Sequence, residues 1–234
     1  MALRDLQSRI HRVGAQQLEW PFRGTPVFKT KGPNTYARSH SVDPFPCYPH
    51  DRGLVADTAA RVEELFPVDD QVDYFLTEFE ELGRTNGYSD KTDVYDKASG
   101  KYVRWEPTVI LVGKRIPPHP GMTRYLVAHE YGHVVQWWVE KIRKIDSNKE
   151  TTDLDLEYMR LRPGSHNEYG GGKWHENVGE LLANDFRVLV CGIEEDFWPH
   201  PGFPHPRVVE GVQQFWKKVM EEVDAVRKTE ESAK

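Results

Sequence analysis

The stretch "YLVAHEYGHVVQWWV", residues 125–139, constrains this chain more than any other. A helix that is apolar on every side belongs in a core. Yet this one carries His129, Glu130 and His133, and burying polar groups is costly unless something satisfies them. On a helix, residues i and i+4 share a face one turn apart. The rings of His129 and His133 can therefore converge on one centre. Glu130 lies about 100° round the helix, off that shared face. Zn²⁺ accepts imidazole nitrogens at about 2.0–2.1 Å in tetrahedral geometry. A glutamate beside such a site can take a proton from a metal-polarised water and return it to a leaving amine. HExxH on a helix is the spacing that this chemistry needs.

The third ligand sets the subclass. An HExxHxxGxxH pattern would need a glycine and a further histidine where the chain has Gln136 and Val139. That pattern is therefore excluded. The segment "GELLANDF", 179–186, offers Glu180 instead, with Asn184 four residues on and on the same face. Val178, Leu181, Leu182 and Phe186 surround Glu180, which argues against a solvated charge. A His₂Glu site with one position left for water is the expected result, holding one Zn²⁺ per chain. Asn184 can hydrogen-bond a ligand and fix its ring orientation. Glu176, one turn before Glu180, stays open as a rival ligand with Glu180 supporting it.

The rest of the chain bounds the reading. A length of 234 residues and seven tryptophans fit one globular domain, with or without an appendage. The net charge of −6 gives no support to nucleic-acid binding. Residues 1–40 carry seven Lys/Arg against two acids, which is read as a solvated face. Two distant cysteines, Cys47 and Cys191, do not make a disulfide framework. The first residues lack the apolar core of a secretory signal, and no run reaches the about 18 apolar residues of a membrane span. A cytoplasmic protein with no membrane partner is expected, with leaderless secretion or phage association left open.

A helix is expected over 2–18, then a Pro/Gly/Ser-rich irregular wrap to residue 53. The domain boundaries are thus 1–53 for the arm and 54–234 for the main domain. Helices are expected at 54–66, 123–145, 174–190 and 207–228. In the last, Val208, Val212, Phe215, Val219 and Val226 form the apolar stripe. Strands are expected at 71–82, 92–97, 101–105 and 107–116. Thr123 is the expected N-cap of the HExxH helix, and 146–173 reads as a polar excursion. His119, His200 and His205 sit in Pro-rich loops and are read as structural or solvent-facing.

"AHEYGH…GELLAND" resembles the gluzincin metallopeptidases, whose signature joins HExxH to a helix bearing ExxAD or ExxAN. "HEYGHVVQ" is similar to bacterial neutral zinc metallopeptidases, and Glu180 to Phe186 resembles the ImmA/IrrE-like peptidases. The resemblance spans residues 107–190. It implies an α+β minigluzincin, or zincin-like, core. In such a core a small, mostly antiparallel sheet packs on the HExxH helix and the Glu-bearing helix. It implies hydrolysis of peptide bonds in a protein or peptide substrate, with Glu130 as general base. Asn184 replaces the commoner Asp, so the neighbouring Asp185 is a second candidate for orienting a ligand. His166 or Tyr169 is the expected oxyanion stabiliser, with His175 and Tyr158 as alternatives. The strand 108–112, with Val109, Ile110 and Leu111, is expected to border the cleft and pair with an extended substrate. The rival reading is a metal-containing peptide-binding or regulatory module without turnover. The intact Glu130 disfavours it.

Overall fold

The computed structural model describes residues 10–13, 50–68, 72–77, 87–95, 102–112, 118–146, 149–167, 174–194 and 199–232. The chain divides into two compact units, Met1–Ala60 with Asp69–Glu130, and Arg61–Val68 with Tyr131–Lys234. Two helices, α1 (Arg52–Leu65) and α2 (Pro120–Ile142), run unbroken through the divisions.

In the first unit, β1 (Ile10–Val13), β2 (Asp73–Thr77), β3 (Gly87–Tyr95) and β4 (Tyr102–Val112) form one sheet in the order β1-β2-β4-β3. β1 pairs with β2, and β2 with β4, in parallel; β3 pairs with β4 antiparallel. The fold is α+β as expected, but the sheet is mixed rather than mostly antiparallel. The parallel pairs come from chain that enters the sheet after crossing over, not through a hairpin. Ile10–Val13 is a strand where a helix over 2–18 was expected. Its pairing with Tyr74 to Thr77 outweighs a weak local preference for helix.

β4 explains itself from its sequence. Thr108, Val109, Ile110 and Leu111 are all buried, as a strand covered on both faces should be. Pro107 lacks an N–H. It stands one residue before β4 gains its second neighbour, where Asp73 meets Thr108, and a proline is tolerated there. The segment 108–111 is therefore paired on both sides, to Asp73–Leu76 and to Gly87–Asp90. No main-chain groups are left there for a substrate strand, so the expected pairing role of Val109, Ile110 and Leu111 is corrected. Among the described residues, the end of the sheet after β4 is β3.

α1 buries Val55, Ala56, Ala59 and Val62, one face at helical spacing. The Asp51 carboxylate caps it, accepting from the Leu54 N–H at 2.7 Å. α2 starts at Pro120, three residues before the expected Thr123. Pro at the first helical position is preorganised for it, and the His119 ring accepts from the Met122 N–H at 3.1 Å. Thr123 instead faces the ring of buried His50, 2.8 Å away.

The second unit holds α3 (Asp153–Leu161), α4 (Val178–Leu189) and α5 (Glu210–Ser232) besides the end of α2. α3 lies where a polar excursion was expected. Thr152 and Asp155 form a capping box, each side chain accepting from the other's main-chain N–H. Gln136 on α2 donates to Asp155 at 3.1 Å. α5 buries Val212, Phe215, Trp216, Val219 and Val223. Val208 precedes it in a 3₁₀ turn, Pro206–Val208, and is exposed, so it leaves the expected stripe. Phe66 joins Trp138 and Phe186 edge-to-face at 5.5 and 5.7 Å. Cys191 is a buried free thiol, and burial pushes it up to about 12. No described helix is long and apolar enough to cross a membrane.

Candidate metal centre

His129 and His133 stand one turn apart on α2 and are fixed relative to each other by the helix itself. Glu180 stands in the first turn of α4. Asn177 starts that helix, its side chain accepting from the N–H groups of Gly179 and Glu180 at 2.9 and 3.2 Å. Ligand atoms of His129, His133 and Glu180 all lie within 4.8 Å of one another. His133 Nε2 is 3.6 Å from Glu180 Oε2. Ligands at Zn–N and Zn–O lengths on a tetrahedron stand about 3.3 Å apart, so this separation suits a shared ion. His129 and Glu180 are buried, and His133 is nearly so. The Tyr125 ring stacks on His129, nearly parallel at 5.7 Å. Two imidazoles and a carboxylate form a donor set that zinc favours.

The approach of α4 to α2 depends on one glycine. A Cβ on Gly132 would meet Ala183 Cα at 2.7 Å, its carbonyl oxygen at 2.9 Å and its Cβ at 3.0 Å. The two backbones touch there, between the turns that carry His133 and Glu180. The small residues inside "HEYGH" and "GELLAN" signalled this contact, and sequence reasoning did not use them. Gly132→Ala should force the helices apart, because rotating a side chain cannot relieve a clash with backbone. A stability loss of about 1–3 kcal/mol is expected, with weaker zinc binding. Chemical denaturation and a chelator competition titration read both. Unchanged values would mean that the contact has slack.

The expected ligand-orienting residues are engaged elsewhere. Asn184 Nδ2 donates to the Glu180 carbonyl at 3.1 Å and lies 2.8 Å from His200 Nε2. Its Oδ1 accepts from Arg187 Nε at 3.2 Å. Asn184 thus braces the main chain of Glu180 but does not orient a ligand ring. His200 Nδ1 lies 2.6 Å from the His175 carbonyl. A carbonyl can only accept, so Nδ1 carries the proton and Nε2 accepts from Asn184. That is a reason for Asn rather than Asp at 184. His200 is fully buried beneath Trp174, whose ring stacks on it at 5.2 Å. It is structural, and its burial was not visible in its Pro-rich setting. Asp185 accepts from Arg162 Nε at 2.9 Å and from the Tyr158 hydroxyl, so it too is corrected to a structural role.

Of the expected oxyanion stabilisers, Tyr169 lies outside the described residues. Tyr158 is fully buried against Asp185. Burial first, and the Asp185 charge second, push its hydroxyl well above the ordinary range. His166 Nε2 lies 3.3 Å from Glu176 Oε2, and His175 Nε2 lies 3.6 Å from Glu176 Oε1. The rival ligand Glu176 therefore sits between two other histidines, and the cluster that gathers on α2 contains Glu180 instead.

Sequence reasoning missed Ser89. Its hydroxyl lies 2.7 Å from the Glu130 carbonyl oxygen and 3.0 Å from Glu130 Oε2. Glu130 is buried, and this contact brings β3 to the residue after His129. Alternation along β3 would have flagged it only with the register known. No protein-family model, curated protein or solved structure matches the chain.

Proposed function

We propose that the chain is a zinc-dependent peptidase in which Glu130 serves as general base. The observation that carries this reading is the convergence of His129, His133 and Glu180 within 4.8 Å. Glu130 stands on the same helix, next to His129, with its carboxylate held at Ser89 of β3. A zinc ion bound there would supply Lewis-acid chemistry, polarising a water and the scissile carbonyl. The side chains on this chain divide the remaining work. His129, His133 and Glu180 would hold the ion, and Glu130 would take a proton from the attacking water and pass it to the leaving amine. An extended peptide would pair with β3, the sheet end beside Glu130, rather than with the internal β4. Such pairing is tolerant of sequence and holds the scissile bond in place. The likeness of "HEYGH" and "GELLAN" to the gluzincin signature supports the same assignment.

Metal analysis of the purified chain tests this. About one zinc per chain is expected. His129→Ala, His133→Ala and Glu180→Ala should each cut occupancy sharply. Full zinc in Glu180→Ala would move the ligand role to another residue, and full zinc in all three variants would end the proposal.

A further inference from the structure

We propose that Ser89 and Gly87 of β3 are positioning residues that hold the Glu130 carboxylate; this rests on the reading of Glu130 as the base. The Ser89 hydroxyl has one proton and two acceptors in reach, and both belong to Glu130: its carbonyl oxygen at 2.7 Å and Oε2 at 3.0 Å. That one proton is shared, or alternates, between the helix carbonyl and the carboxylate, so a single side chain ties the two positions. Gly87 lies two residues earlier and so on the same face of the strand. A Cβ there would stand 3.1 Å from Glu130 Oε1, 3.3 Å from its Cγ and 2.9 Å from the Ile110 carbonyl oxygen. The carboxylate lies over a gap that only glycine leaves, with Oε2 at the serine and Oε1 above the glycine.

The base of this clamp is rigid. Ser89 is in register with Val109, and Gly87 with Leu111, on the doubly paired part of β4. A glutamate has several rotatable bonds, and left alone it samples many rotamers. A general base must lie within hydrogen-bond reach of the proton that it removes. A misplacement of about 1 Å can lower a rate on the order of 10²-fold. The clamp would also impose the local sequence: glycine at 87 for space and a hydroxyl at 89 for grip. A side chain that only filled space would not need its oxygen at both acceptors.

The test uses the full chain loaded with zinc, with fluorophore-labelled denatured casein as probe. Ser89→Ala should lower kcat about tenfold to a hundredfold, leave KM nearly unchanged and retain the zinc of the parent. Ser89→Thr keeps the hydroxyl and should recover most of the rate. In a crystal structure of Ser89→Ala, the Glu130 carboxylate should leave its place above Gly87. A parental kcat in Ser89→Ala, or an unmoved carboxylate, overturns the proposal. If the parent leaves casein uncut, or Glu130→Gln cuts it at full rate, the reading of Glu130 as base is what fails. The crystal structure then still decides whether Ser89 holds the carboxylate.

Discussion

Glu130→Gln is expected to keep its zinc and its fold while losing hydrolysis by at least about 10²-fold, and up to about 10⁴-fold. The substitution changes almost no volume, so the close space beside Gly87 is respected. An amide can still bond to the Ser89 hydroxyl, so little strain is introduced. It cannot act as a base, because its oxygen does not accept a proton at working pH. Glu130 is also not one of the three groups that gather around the candidate ion, so occupancy should not change. The measurement pairs kcat/KM on labelled casein with zinc content. Equal activity in parent and variant would remove the base from the mechanism. Loss of zinc along with activity would make Glu130 a ligand instead. The contrast with His129→Ala is the informative part: that variant should lose both together.

The gathering of His129, His133 and Glu180 was legible where polar residues repeat at helical spacing. His129, Glu130 and His133 were readable because period and polarity conflict inside an apolar helix. Glu180 was readable because its neighbours are apolar at the positions around it. What failed was everything set by pairing between distant segments. β4 looked like a strand that could border a cleft, because apolar composition marks burial and not neighbours. Only the register shows that β2 and β3 cover its two edges. Asn184 lies one turn from Glu180 and Asp185 is next to Asn184, but their partners, His200 and Arg162, come from sequence 16 and 23 residues away. α3 was missed for a local reason. Its Thr152–Asp155 box uses Asp where Glu or Gln is the usual signal, and the charges in "DLDLEYMRL" hid its buried Leu154 and Tyr158.

Asp185→Asn should lower the unfolding free energy by about 1–3 kcal/mol at neutral pH, because the amide turns an N–H donor toward the Arg162 guanidinium and leaves a buried donor without its acceptor. Asp185 and Arg162 are almost entirely buried, and two guanidinium nitrogens reach the carboxylate. Removing the negative charge leaves a buried cation whose counter-ion is gone. The pair is not strongly stabilising in itself. Burial outweighs the Arg162 charge and pushes the Asp185 carboxyl up to about 6 from its ordinary 3.8. A folded value above the unfolded one means that the folded state binds the proton more tightly. The associated stability is fully present below 3.8 and is lost as pH rises through about 6. At neutral pH the ionised pair is therefore held at a net desolvation cost, and apolar replacement of both charges is tolerated better than loss of one. Arg162→Met combined with Asp185→Asn should thus be more stable than Asp185→Asn alone, although the Pro204 carbonyl loses its donor. Denaturant titrations at pH 5 and pH 7.5 measure both effects. The double variant should also lose the part of the pH slope between 3.8 and about 6 that Asp185 supplies. A double variant less stable than the single one would show that Arg162 contributes through packing and the Pro204 contact rather than through its charge.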